Sequence, residues 1–136
     1  MTTARSRCRV LVIDDDADIR ESTAMVIRLL GHDVVIAADG AAGMDEGRIF
    51  LPDLVLLDVG LPGVDGHDVA RAMRTEAWGQ RALLAAVTGW ARESDRLAAE
   101  TAGFDVHLPK PVGLGTLHDL IARALLAETP RKLPLQ

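Results

Sequence analysis

Five short apolar runs punctuate the chain: Val10-Leu11-Val12-Ile13, Val34-Val35-Ile36-Ala37, Leu54-Val55-Leu56-Leu57, Leu83-Leu84-Ala85-Ala86-Val87 and Val106-His107-Leu108. Three of them are continuous rather than alternating, the pattern of strands buried on both faces of a parallel sheet. Helix-period segments lie between. Ile19, Thr23, Val26 or Ile27, and Leu30 fall at 4-3-4 spacing, and Gly31 follows as a stop signal. Residues 41–50, 67–75 and 92–101 fill the next intervals, the last ending at Gly103, and Leu114, Leu117, Ile121, Ala124 and Leu125 form a final stripe. Strand alternating with helix five times predicts an α/β domain of three layers, with a parallel sheet and right-handed crossovers.

Composition narrows the field of functions. A chain of 136 residues, 49% apolar, is one domain's worth and buries a core without a disulfide or zinc staple. Its one cysteine, Cys8, can neither bridge internally nor supply a cysteine-based metal cluster. Twenty acidic against fifteen basic residues leave a net charge of −5, the wrong sign for gripping nucleic acid or an anionic membrane. Aromatic residues are limited to Trp78, Trp90, Phe50 and Phe104, so base-stacking platforms are missing and the core must be aliphatic. No apolar run approaches the ~20 residues that span a bilayer, and no secretory h-region follows the first residues. The expectation is a cytoplasmic domain over residues 8–127, with a short extension at 1–7, a tail at 128–136 and no output domain.

The chemistry collects where the apolar runs end, the edge at which open α/β sheets bind ligands. The first run ends in Asp14-Asp15-Asp16 with Asp18 close behind, the third in Asp58, the fourth in Thr88-Gly89, and the fifth in Pro109-Lys110-Pro111. Each has an ordinary explanation alone: Asp15 or Asp16 as a helix N-cap, Asp58 or Thr88 as a turn residue, Lys110 as a solvated lysine. Adjacent aspartates at a strand end repel unless a cation sits between them, and four strand ends converging on one edge carry more weight than any one. Carboxylate oxygens with positions left for water and phosphate describe a Mg²⁺ site. An aspartate beside such an ion and a lysine can take up a phosphoryl group, so the cluster reads as phosphoryl transfer to Asp58.

These residues, with Pro52-Asp53 before the third run, Leu61-Pro62-Gly63-Val64-Asp65-Gly66 after it, Val87-Thr88-Gly89 and Lys110-Pro111, resemble the receiver domains of two-component response regulators. The resemblance implies a flavodoxin-like (βα)5 fold with strand order 2-1-3-4-5 and a phosphoacceptor switch rather than an enzyme. It implies that Asp58 takes a phosphoryl group from a sensor histidine kinase or a histidine phosphotransfer protein. Asp15 matches the direct Mg²⁺ ligand, Asp14 an acidic partner acting through water, and the Gly60 backbone carbonyl a further ligand. Thr88 matches the hydroxyl that meets a phosphoryl oxygen and Lys110 the amine that pairs with it, before a cis bond to Pro111. The resemblance further implies a downstream protein target, contacted through helix 92–101, strand 106–108 and helix 114–125. Direct DNA binding and membrane association are not expected, and the protein is expected as a monomer or a phosphorylation-dependent dimer.

Some residues depart from the family pattern. His107 stands where the family commonly has tyrosine or phenylalanine, so no aromatic rotamer switch is expected. Pro109 removes a backbone donor at the end of the last strand, which predicts an edge position or a reshaped loop. Trp90 is read either as a partner-facing residue or as bulk that keeps water from the acyl phosphate. The segments around Thr88 and Lys110 look most like receivers attached to hybrid sensor kinases. Three other functions fit less well. A phosphatase of the haloacid dehalogenase type expects threonine or valine where Asp18 stands and a cap domain besides, and neither a dinucleotide-binding nor a P-loop glycine pattern follows the first strand. A receiver that binds partners without being phosphorylated would not need the full set of acceptor-site residues.

Overall fold

The structure, a computed structural model, describes residues 7–61, 63, 65–89 and 93–126. Its strands are β1 (Arg9–Ile13), β2 (Asp33–Ala37), β3 (Leu54–Asp58), β4 (Leu83–Thr88) and β5 (Val106–Pro109). The helices are α1 (Ala17–Leu29), α2 (Gly40–Phe50), α3 (Gly66–Arg74), α4 (Ala77–Arg81), α5 (Glu93–Ala102) and α6 (Leu114–Leu126). The strands form one sheet in the order β2-β1-β3-β4-β5, all neighbours parallel, as expected. The short helix α4 has no counterpart in the pattern of apolar positions.

The continuous apolar runs divide by residue parity between two cores. Leu11, Ile13, Val55, Leu57, Leu84 and Ala86 face one side and pack with Val69, Ala70 and Met73 of α3 and Ala99 and Ala102 of α5. Val10, Val12, Leu54, Leu56, Leu83 and Ala85 face the other and pack with Ile27 of α1 and Leu117, Leu120, Ile121 and Ala124 of α6. Helices on both faces make the sheet the middle of three layers, which is why β3 and β4 carry no polar residue before their last positions. Burying a leucine or valine is worth roughly 1.5–3 kcal/mol, so the two cores dominate stability.

Helix ends explain where the chain turns. Gly31, at φ 93°, closes α1: its N–H donates to the Arg28 carbonyl and the His32 N–H to the Ile27 carbonyl. The same pair of bonds closes α5, where Gly103 (φ 108°) donates to Glu100 and Phe104 to Ala99. Pro109 lies on an edge strand, as its missing donor predicts. The Lys110 N–H points inward to the Thr88 carbonyl at 2.8 Å, so the preceding nitrogen faces away from the sheet and no ladder bond is lost. His107 sits half-buried on the same strand, opposite Ala86.

The helix α4 is held by tertiary contacts. Trp78 lies on Gly47 of α2, where any β-carbon would collide with the indole, and its ring N–H donates to Glu76 at 2.8 Å. Arg48 of α2 grips the same carboxylate at 2.8 Å. On the other side, Arg74 donates to the carbonyls of Gly79 (2.7 Å), Ala82 (2.9 Å) and Gly103 (2.9 Å) and pairs with Asp105 at 2.8 Å.

Candidate functional site

The carboxyl ends of β1, β3 and β4 stop side by side, and the polar residues that follow share one pocket. Asp14, Asp58 and Thr88 are the buried polar residues among those described, at 4, 6 and 7% exposure. Register explains the placement: Ile13 pairs with Leu57, so Asp14 lies beside Asp58, and Asp58 pairs with Val87, so Thr88 is one step beyond. Asp15 joins from the exposed loop, and carboxylate oxygens of Asp14, Asp15 and Asp58 lie within 4.8 Å of one another.

Lys110 reaches in from the end of β5. Its Nζ donates to Asp58 Oδ2 at 3.0 Å and lies 3.1 Å from Asp14 Oδ2. Burial pulls this ammonium's pKa down, but the hydrogen bonds and charges of Asp58 and Asp14 outweigh that and hold it above 10.5. The peptide between Lys110 and Pro111 is cis, as the resemblance implies. The remaining oxygens are placed by backbone: Asp58 Oδ1 accepts from the Gly60 N–H at 2.8 Å, and Asp14 Oδ1 from the Asp16 N–H at 2.9 Å.

Three carboxylates facing one ammonium leave two negative charges uncompensated within the cluster. Hard oxygen donors in excess, two of them buried and already oriented by hydrogen bonds, fit a divalent cation such as Mg²⁺ better than any soft metal. Of the acidic run, Asp16 and Asp18 stand outside the cluster. Asp16 is the N-cap of α1, its carboxylate accepting from the N–H groups of Asp18 and Ile19 at 2.9 and 3.2 Å. The capping role open to either Asp15 or Asp16 therefore falls to Asp16, which frees Asp15 for the site.

Sequence reasoning missed two features. A groove of about 410 Å³ runs from Asp14, Asp58 and Lys110 between α1 and the start of α6, walled by Ile19, Val26, Leu56, Pro111, Val112 and Leu117. Arg20, in the second turn of α1, donates from a guanidinium nitrogen to the Asp14 backbone carbonyl at 3.0 Å. A cation so close to a helix N-terminus opposes the helix dipole, and that was the available signal. Trp90 and, in the loop after Asp58, Pro62 and Val64 lie outside the described residues, as do residues 1–6 of the expected extension and the whole tail 128–136. Arg7 is described, and pairs with Asp33 of β2 at 2.6 Å. Among the described residues no helix is long and apolar enough to cross a membrane.

Comparison with known proteins agrees with this geometry. The family model for the response regulator receiver domain matches residues 10–122. The response regulator MprA of Mycobacterium sp. (strain KMS) is 38% identical over 123 residues, which are 89% of this chain and 51% of that protein. The chain thus spans about half the length of the curated relatives it matches. The receiver domain of sensor histidine kinase PA1611 from Pseudomonas aeruginosa PAO1, solved with a magnesium ion coordinated in its active-site cleft, superposes with a TM-score of 0.79. It is 27% identical, and the match covers 88% of this chain and 98% of that one. The chemotaxis protein CheY4 of Vibrio cholerae shares the fold, with a TM-score of 0.82 at 24% identity over 88% of this chain and 99% of that one.

Proposed function

Because the chain belongs to the response regulator receiver domain family, a family of phosphoacceptors in two-component signalling, we propose that Asp58 is its phosphoacceptor and that Asp14, Asp15, Asp58 and the Gly60 carbonyl hold a Mg²⁺ ion. The observation that carries this reading is the buried Asp58 carboxylate, held 3.0 Å from Lys110 inside a cluster with excess negative charge. A carboxylate is a weak nucleophile in water, and fixing it at the end of a rigid strand lowers the entropic part of the barrier.

An Asp58 oxygen attacks the phosphorus of an N-phosphorylated histidine on a sensor kinase or phosphotransfer protein. The P–O bond forms as the P–N bond breaks, and the donor ring, already protonated on its other nitrogen, leaves as neutral imidazole with the electron pair returned to nitrogen. Bound Mg²⁺ would supply neutralisation of charge on the transferring phosphoryl oxygens. Lys110 exchanges its bond to Asp58 for a phosphoryl oxygen, and the Thr88 hydroxyl donates to another. The groove beside Asp58 gives the donor histidine its approach. The new charge shifts an equilibrium between two surfaces on α5, β5 and α6, where Leu97 is 57% exposed. A net charge of −5 favours a protein target over DNA.

The test is intact-protein mass after incubation with acetyl phosphate and Mg²⁺, beside Asp58→Asn and a chelator control. One added phosphoryl group on the wild type, absent from both controls, supports the reading. If no adduct forms, and beryllofluoride with Mg²⁺ also leaves the spectrum of the protein unchanged, Asp58 is not a phosphoacceptor.

A further inference from the structure

The β1–α1 turn must present two carboxylates that repel each other, and something has to hold it there before a cation arrives. Its side-chain fastenings are few. Asp14 Oδ1 takes the Asp16 N–H at 2.9 Å, Asp16 Oδ1 caps α1 through Asp18 at 2.9 Å, and Asp14 Oδ2 lies 3.1 Å from Lys110 Nζ. The one long side chain of α1 that reaches back to this turn is Arg20. It donates to the Asp14 carbonyl at 3.0 Å from a half-buried position on the turn of helix just above. That carbonyl belongs to the peptide joining Asp14 to Asp15, so one contact fixes the link between both residues.

A guanidinium at this place carries two opposed effects on a bound cation. Its positive charge repels the ion, which by itself weakens binding. Its hydrogen bond holds the Asp14–Asp15 peptide in the orientation the ligands need, which strengthens binding by removing ordering cost. The Asp14 N–H is also tied to the Ala37 carbonyl at 3.1 Å, but Asp15 is exposed and, among the described residues, its side chain makes no hydrogen bond or ion pair, so its direction depends on how the Asp14–Asp15 peptide is turned. Orientation therefore outweighs repulsion.

We propose that Arg20 is a positioning residue of the acidic cluster, holding the peptide between Asp14 and Asp15 so that both carboxylates are poised for Mg²⁺. The proposal rests on the metal reading above and adds a residue to it. The two effects have opposite signs, which makes them separable by experiment.

Mg²⁺ binding to the full chain is followed through the amide resonances of Asp16 and Gly60, whose N–H groups donate to Asp14 and Asp58. Arg20→Ala is compared with Arg28→Ala, which removes the same charge from an exposed position further along α1. Arg20→Ala is expected to weaken Mg²⁺ roughly tenfold, the lower end of what losing a contact behind a metal ligand costs. Arg28→Ala should leave affinity unchanged or slightly tighter. Arg20→Lys, which keeps the charge and one donor, should recover part of the loss and serves as the reading if the alanine variant does not fold. Equal or tighter binding by Arg20→Ala overturns the proposal and makes Arg20 a mere repulsive charge. A wild type whose Asp16 and Gly60 amides ignore Mg²⁺ overturns the metal reading itself, and the proposal with it.

Discussion

The two edges of the sheet handle charge in opposite ways. At the amino edge, charged groups find partners within the protein. Arg7 pairs with Asp33 at 2.6 Å, Asp53 accepts the Arg9 N–H at 2.9 Å, and Arg74 is spread over three carbonyls and Asp105. Asp105 in turn accepts the Leu84 N–H at 2.9 Å on the same oxygen that takes Arg74, so its half-buried carboxylate is held by protein alone. At the carboxyl edge, Asp14 and Asp58 share one lysine, and the Asp15 carboxylate beside them has no partner among the described residues. The first arrangement stabilises the fold and asks for nothing more. The second is a deficit that the native state tolerates, which is the mark of a site rather than a brace.

That contrast can be broken most sharply by chemistry. Asp58→Asn should abolish phosphoryl incorporation from acetyl phosphate completely, whereas Asp105→Asn should leave it intact at temperatures where the protein stays folded; intact mass reads both. In stability the order reverses. Arg74→Ala removes one member of a nearly buried pair and strands Asp105, and should cost about 3 kcal/mol in denaturant unfolding. Asp15→Asn relieves repulsion and should raise the melting temperature slightly without Mg²⁺, while abolishing the rise that Mg²⁺ brings.

The smallest effect concerns pH at the amino edge. Cys8 donates its N–H to His32 Nδ1 at 3.0 Å, a bond that needs the neutral ring. Burial first, then the nearby Arg7 charge, holds the His32 pKa below 6.5. The unfolded chain therefore binds the proton more readily than the folded one. This contribution to stability is complete above 6.5 and is lost as pH falls through the lowered value. His32→Asn should flatten that part of the profile, measured as melting temperature between neutral pH and the onset of carboxylate titration.

What could be read in the sequence was whatever is local. Val10–Ile13 or Leu54–Leu57 announce strands because both faces are covered, and Asp14, Asp58, Thr88 and Lys110 announce a site because each stands within two residues of the end of such a run. The helix α4 was silent because Ala77–Arg81 is too short to show a period, and it is fastened by Arg48 of α2 to its N-cap Glu76 and by Arg74 just before it. The Arg74–Asp105 pair spans 31 positions, and no spacing rule links residues so far apart. Arg20 acts through a backbone carbonyl, an interaction that leaves no complementary residue in the sequence to notice.

The central claim, that one edge holds a charge deficit and the other a balanced brace, is tested most directly by thermal melting of Asp15→Asn and Asp105→Asn with and without Mg²⁺. Asp15→Asn should melt at or above the wild type without Mg²⁺ and fail to respond to it. Asp105→Asn should melt well below the wild type and gain as much from Mg²⁺ as the wild type does. A wild type indifferent to Mg²⁺, or an Asp15→Asn variant that responds to it fully, would contradict the account.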